Sequence, residues 1–403
     1  MRRHRTVLMT VAAAATAVLA VGALSAASGY PAAALPAASS TASGGSAWRG
    51  GGSQRLDHVF IIMEENHSQD HTIGDINPAT GKLSMPFLTK LSSEYGQATN
   101  YYGVTHTSEP NYIAATSGSI WDVNNDDEWY PDASYKFGVN HYDHTNIVDE
   151  LDASHIPWAA YMQAMPKAGY LPDSWPTTGS ALYVTKHNPF ILYNDIHDNP
   201  TVARNIQPYS NMASELNSRH APRYVWISPD LCTDMHLGVY NAVKGFPETP
   251  CQYSNSINDP IDEHSKTVAD NFIKHAVTTI THSRAWTGNS AIFITADETD
   301  FDAANGFNGQ YLSTAGCCDS PSLPAGDPEI SASWPGGLYG GGLVPMVVIS
   351  RNGPRHVTDT TAYNHYSMLL TIEEGLGLGK LGNTSDAAQV KPMWSLITGG
   401  HRR

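Results

Sequence analysis

The sequence predicts an α/β protein whose mostly parallel sheet carries helices on both faces, and three observations predict it. Short apolar runs at 59–63, 224–228, 291–296 and 344–350 lack the polar alternation of a half-exposed strand. The first three are each followed by a polar cluster: Glu65-Asn66-His67, "PDLCTDMH" and "DETDFD". Between them lie segments with helical character at 86–95, 146–152, 261–280 and 366–375; in the third, Ile261, Val268, Phe272 and Val277 recur at roughly helical spacing. Strands buried on both sides and separated by helices indicate a parallel sheet. Ligands of such sheets bind at the carboxyl ends of the strands, where these polar clusters fall.

Along the chain, Arg2, Arg3 and Arg5 precede an apolar, alanine-rich stretch and the small residues Ser25-Ala26-Ala27, which reads as an export signal over 1–27. The alternative is a membrane anchor; the stretch is mostly Ala and lacks a basic stop on its far side. Export by the general or the twin-arginine route stays open. Residues 28–54 are Ala, Ser, Gly and Pro, the composition of a disordered linker. A single domain is expected over 55–398, with a Gly-, Ser- and Pro-rich loop or lid at 305–341 beside Asp297-Glu298. The formal charge is −15, and losing three leader arginines takes it to −18. So acidic a chain is not expected to bind nucleic acid or to insert stably in a membrane, and a secreted, extracellular protein is expected. Four cysteines fit an exported protein. Cys232 and Cys251 can close a short loop, worth roughly 3 kcal/mol in the chain-entropy model. Cys317 and Cys318 form a vicinal bridge or pair elsewhere.

Ser108 precedes Glu109 and Pro110 at a helix start, where a hydroxyl either caps the helix or faces free N–H groups suited to phosphate. It becomes a nucleophile only if a base or metal takes its proton. Adjacent carboxylates at a strand end, Asp297 and Glu298, repel unless solvated or joined by a cation, and Glu65-Asn66 repeats the arrangement. Two such oxygen-rich clusters point to a divalent metal: Ca²⁺, Mg²⁺ or Mn²⁺ in preference to Zn²⁺. Glu64 faces the other side of its strand and is read as a bystander. Among 18 histidines, His106, His236 and His365 lie beside Ser108 or polar strand ends, and acid catalysis or phosphoryl binding would be their roles.

"IIMEENHS", "THTSEPNYIAATSGS", "SPDLCTDMH", "FITADETDF", "VPMVVIS" and "YNHYSMLLTIEEGLGLGKLG" occur in this order over most of 56–382. With them the chain resembles the bacterial phosphoesterase family of secreted acid phosphatases and large phospholipases C, within the alkaline-phosphatase-like superfamily. The resemblance implies a doubly wound fold and a metal-assisted phosphoserine mechanism. It implies Glu65, Asn66, Asp297 and Glu298 as metal ligands and Ser108 as nucleophile. His106, His236 and His365 join the catalytic residues, and Asn111 and Asp234 bind substrate. Met235 departs from the pattern, since phospholipase relatives place the acid and histidine side by side. The expected activity is hydrolysis of a small phosphate monoester. The alternatives are a phospholipase C acting on a phosphodiester, with a phosphoinositide or phospholipid headgroup as partner, and a non-catalytic protein that binds phosphate and a cation.

Overall fold

In a computed structural model, residues 54–123, 126, 142–254, 256–300, 314–326 and 335–398 are described. All lie within one compact unit, Gly51–Arg403. The expected leader, the linker up to residue 53, and residues 305–313 and 327–334 of the expected lid lie outside the described residues. Among the described residues no helix is long and apolar enough to cross a membrane.

Eight strands form the main sheet: β1 (Val59–Glu64), β2 (Gly96–Ala98), β3 (Trp158–Met162), β4 (Ile206–Pro208), β5 (Tyr224–Ser228), β6 (Ala291–Ala296), β7 (Met346–Ser350) and β8 (Val357–Asp359). Their order is β8-β2-β7-β6-β1-β5-β3-β4. From β6 to β4 every pairing is parallel. The run expected at 344–350 begins two residues later, as β7, and runs antiparallel to both β6 and β2. The sheet is therefore mixed but mostly parallel, and the predicted class holds.

The unalternating strands have the predicted reason. Val59, Ile61 and Met63 belong to one apolar cluster, with Tyr112, Trp226, Phe293 and Leu369. Phe60 and Ile62 belong to another, with Leu88, Ile227, Phe272 and Ile294. Helices α1 (Pro86–Glu94) and α4 (Pro260–Thr281) supply the second face; α2 (Ser108–Ser117), α3 (Ile147–Ala153) and α5 (His365–Leu376) supply the first. Burying each large aliphatic side chain contributes about 1.5–3 kcal/mol.

Local chemistry sets the helix ends. The Asp259 carboxylate accepts from the amides of Ile261 and Asp262, and Pro260 fills a position whose N–H needs no partner. Asn146 and Asn364 form capping boxes for α3 and α5. Helix α2 ends at Gly118, φ 74°, where a Cβ would lie 2.1 Å from the Leu381 carbonyl oxygen. Only glycine fits that left-handed, crowded turn. Disulfides join Cys232 to Cys251 and Cys317 to Cys318.

Candidate active site

The carboxyl ends of β1, β5 and β6 meet at one edge of the sheet. The Glu65 amide donates to Asp234 O at 2.9 Å, and the Asp297 amide to Glu64 O at 3.2 Å, which ties the three polar clusters together. Helix α2 starts over this edge. Its N-cap is Thr107, not Ser108 as a capping reading would have it; Ser108 is the first helical residue, and its hydroxyl is turned to the acids. Ser108 Oγ lies 3.1 Å from Glu65 Oε2 and 3.2 Å from Glu298 Oε1, so its single proton can serve either carboxylate. One turn on, Tyr112 donates to Glu65 Oε1 at 2.9 Å.

His187, which sequence reasoning missed, enters this cluster from the turn after the short strand Tyr183–Val184. Its Nε2 is 2.9 Å from Glu65 Oε1 and its Nδ1 3.2 Å from Asp234 Oδ2. These are ion-pair distances without hydrogen-bond alignment. The ring stacks on Tyr112 with centroids 5.4 Å apart. Burial disfavours the His187 cation, but the Glu65 charge and the Asp234 contact outweigh it and raise the imidazole to about 9. Glu65 is likewise penalised by burial, yet the charge of His187 holds it well below the usual carboxylate range. Burial raises Asp234 to about 6, against the opposing pull of His187.

Lys186, also missed, sits 3.1 Å from both Asp126 Oδ2 and His236 Nε2. Asp126 Oδ1 accepts from Thr107 Oγ1 at 2.7 Å and from the Glu109 amide at 2.9 Å, so this acid ties Lys186 to the start of α2. Both missed residues follow a short strand, as the recognised clusters do, in the string "YVTKHN". The strand's shortness hid that signal.

On the β6 side, Glu298 is in ion-pair contact with His106 Nδ1. Burial, followed by the charges of Glu65 and Glu298, pushes Asp297 well above the usual range; the Glu298 amide and Ser108 hydroxyl offset only part of this. Neither Asp297 side-chain oxygen has a partner at hydrogen-bonding geometry, although the residue is fully buried. Orphaned buried carboxylate oxygens beside Glu65 and Glu298 are what a cation would satisfy. Glu65, His187 and His236 also bring one ligand atom each within 4.8 Å of one another. The donor set therefore fits a divalent metal.

Three of the expected residues stand in other surroundings than open contact with a substrate. Asn111 was expected to bind substrate, but its amide is spent on the backbone. Its Oδ1 accepts from the Val104 and Thr105 amides, and its Nδ2 donates to Thr105 O and Thr107 O. It shapes the approach to α2 instead. His365 is fully buried beneath the cluster: Nε2 donates to Asp297 O at 2.6 Å and Nδ1 accepts from the Tyr101 hydroxyl at 2.9 Å. Burial lowers its pKa to about 4, which favours the neutral ring that bridges Tyr101 and the end of β6. His236 does reach the cluster, but burial and the Lys186 charge lower it to about 4. Its Nδ1 donates to Leu237 O at 3.0 Å and its Nε2 accepts from Lys186, so it too is neutral. Asn66 is half-buried and lines a cavity of about 230 Å³ with His67, His236 and Tyr253.

The Phosphoesterase family pattern matches residues 79–379, and the chain belongs to that family. Among curated relatives, the phosphate-repressible acid phosphatase of Penicillium chrysogenum is 25% identical over 315 residues, covering 77% of this chain and 59% of that protein. The phosphatidylinositol-3-phosphatase of Mycobacterium tuberculosis is 22% identical over 337 residues, covering 84% and 82%. The chain thus spans about three fifths of the fungal relative's length. A solved phosphonate monoester hydrolase from Agrobacterium radiobacter is similar at 11% identity and TM-score 0.46, over 86% of this chain and 78% of that one.

Proposed function

We propose that this chain is an exported, metal-dependent phosphomonoesterase of acid-phosphatase type that works through a phosphoserine at Ser108. The observation that carries the reading is the Ser108 hydroxyl, held at the first residue of α2 between two buried carboxylates. Family membership and the acid phosphatase relatives support the reaction class.

Glu65, Asp297 and Glu298 would hold the metal, with Asn66 and, once it has lost its proton, the nitrogens of His187 as further donors. The nitrogen donors bring Zn²⁺ into contention beside the oxygen-preferring cations. When bound, the metal would neutralise phosphoryl charge and lower the pKa of the serine hydroxyl. The chain's own residues do the rest. Ser108 passes its proton to the carboxylate it touches, its oxygen bonds to phosphorus as the bond to the alcohol oxygen breaks, and that carboxyl returns the proton to the departing alcohol. Lys186 and the positive end of α2 face the negative oxygens. His106 and Asp234 hold Glu298 and His187 in place. Water then cleaves the phosphoserine.

A phosphoinositide monoester satisfies the same chemistry, and the mycobacterial relative acts on such a headgroup by its name. The decisive experiment incubates wild type and Ser108→Ala with an aryl phosphate, quenches in acid and maps phosphopeptides. A phosphate on Ser108 in wild type alone supports the mechanism. Turnover with no trapped phosphoserine, persisting in Ser108→Ala, removes it, and saturable phosphate binding without turnover promotes the non-catalytic reading. Parallel assays on an aryl phosphate, phosphatidylinositol 3-phosphate and phosphatidylcholine rank monoester, phosphoinositide and phospholipase C activities. Export is tested by whether the protein in the culture medium begins near residue 28.

A further inference from the structure

The turn that presents Asp234 and His236 to the active site has a second face. Against it, between the loop closed by Cys232–Cys251 and helix α4, lies a cavity of about 400 Å³. Leu182, Phe246, Val268 and Phe272 make its walls apolar. Its deeply buried polar group is Asp230, 3% exposed.

Asp230 is held by one oxygen only. Oδ1 accepts from the Cys232 amide at 3.1 Å and the Thr233 hydroxyl at 3.0 Å. Its own amide donates to Gln163 Oε1 at 3.1 Å. Oδ2 makes no hydrogen bond among the described residues, so this almost fully buried side chain keeps one oxygen without a protein partner in the cavity lining. Burial, then the charge of Asp234, raises this carboxyl to about 7, the mark of an acid lacking a cationic partner. Glu248 also lines the cavity, so its polar end is acidic and disfavours anions.

We propose that this cavity binds a small primary amine with an apolar body, at a site separate from the phosphoryl centre. The ammonium donates to Asp230 Oδ2, and the hydrocarbon packs on Phe246, Phe272 and Leu182. The volume falls within the range of small-ligand pockets. An alcohol of the same shape can donate one hydrogen bond but cannot compensate the buried charge. The turn is common to both sites: the Asp234 amide donates to Asp230 O at 2.9 Å, and the Leu237 amide to Leu231 O at 2.6 Å.

The test titrates phenethylamine and 2-phenylethanol into the full chain at pH 8 by calorimetry, with and without saturating inorganic phosphate. Saturable one-site binding of the amine is expected, about tenfold tighter than the alcohol and not competed by phosphate. Asp230→Asn keeps the Oδ1 acceptor and should erase the preference for the amine. Val268→Trp, on the cavity-facing side of α4, should block both ligands while aryl phosphate turnover persists. It decides the matter alone if Asp230→Asn does not fold. Equal affinity for amine and alcohol, competitive displacement by phosphate, or undiminished binding to Val268→Trp would each overturn the proposal.

Discussion

Glu64 and Glu65 are neighbours at the end of β1, yet they inhabit opposite electrostatic worlds. Strand alternation sends Glu64 after Phe60 and Ile62 toward the α1 and α4 face. There neither carboxylate oxygen has a partner. Burial, then the charge of Asp234, pushes its pKa well above the usual carboxylate range. Glu65 turns to the other side, where Ser108 and Tyr112 donate to it and the His187 cation lies 2.9 Å away. It stays ionised despite equal burial. Burial alone favours the uncharged carboxyl; burial beside a cation and donors keeps it charged and ready for chemistry.

The largest effect that sharpens this contrast is expected from Ser108→Ala. Turnover of p-nitrophenyl phosphate should fall at least about a thousandfold. The melting temperature should barely move, since Thr107 holds the cap position. Near-normal rates in the folded variant would detach Glu65 from any catalytic role. Second comes metal removal: dialysis against a chelator should abolish turnover, and a divalent cation should restore it. Full activity in protein shown metal-free by elemental analysis would leave the orphaned oxygens of Asp297 unexplained.

The direct comparison is Glu65→Gln against Glu64→Gln. The first strips the His187 cation of its main partner and should cost about 3 kcal/mol in urea unfolding, together with most of the activity. The second removes a buried acid without a partner and should leave stability unchanged or raised by about 1 kcal/mol, with turnover intact. Similar losses from both would collapse the distinction.

The smallest effect isolates burial without the active site. On α5, Glu373 accepts from the Leu381 amide at 2.9 Å through Oε1, while Oε2 has no partner. Burial raises it from 4.5 to about 8. Between those values the folded state keeps a proton the unfolded state has lost, so stability falls as pH rises through the window, by at most about 1.4 kcal/mol per unit. Glu373→Gln retains the acceptor and removes the titration. Its melting temperature should exceed wild type increasingly from pH 5 to 8, then by a constant margin; a margin independent of pH would show that this acid is already ionised in the fold.

Much of the frame was legible in the residues. Unalternating apolar runs located β1, β5 and β6, because a strand covered on both faces needs apolar side chains at every position. The spacing of Ile261, Val268, Phe272 and Val277 announced α4, because residues three or four apart share one face of a helix. The polar clusters at the strand ends were likewise readable, since parallel strands deliver their carboxyl ends to one edge, whereas the place of Ser108 beside them rested on the family resemblance.

Tertiary structure alone decided which side chains met there and in what charge state. His187 and Lys186 lie on a turn after a two-residue strand, with no periodicity to mark them, and only folding sets them against Glu65 and Asp126. Asn111 belongs to the motif around Ser108, yet the bend of residues 104–107 consumes its amide. His365 and His236 are histidines at polar strand ends like many others; burial beneath Asp297 and beside Lys186 makes them neutral. Local sequence dictates periodicity and caps because those interactions span a few residues. Hydrogen-bond partners and protonation depend on desolvation and charge among residues far apart in the chain, and these exist only once the sheet edge has assembled.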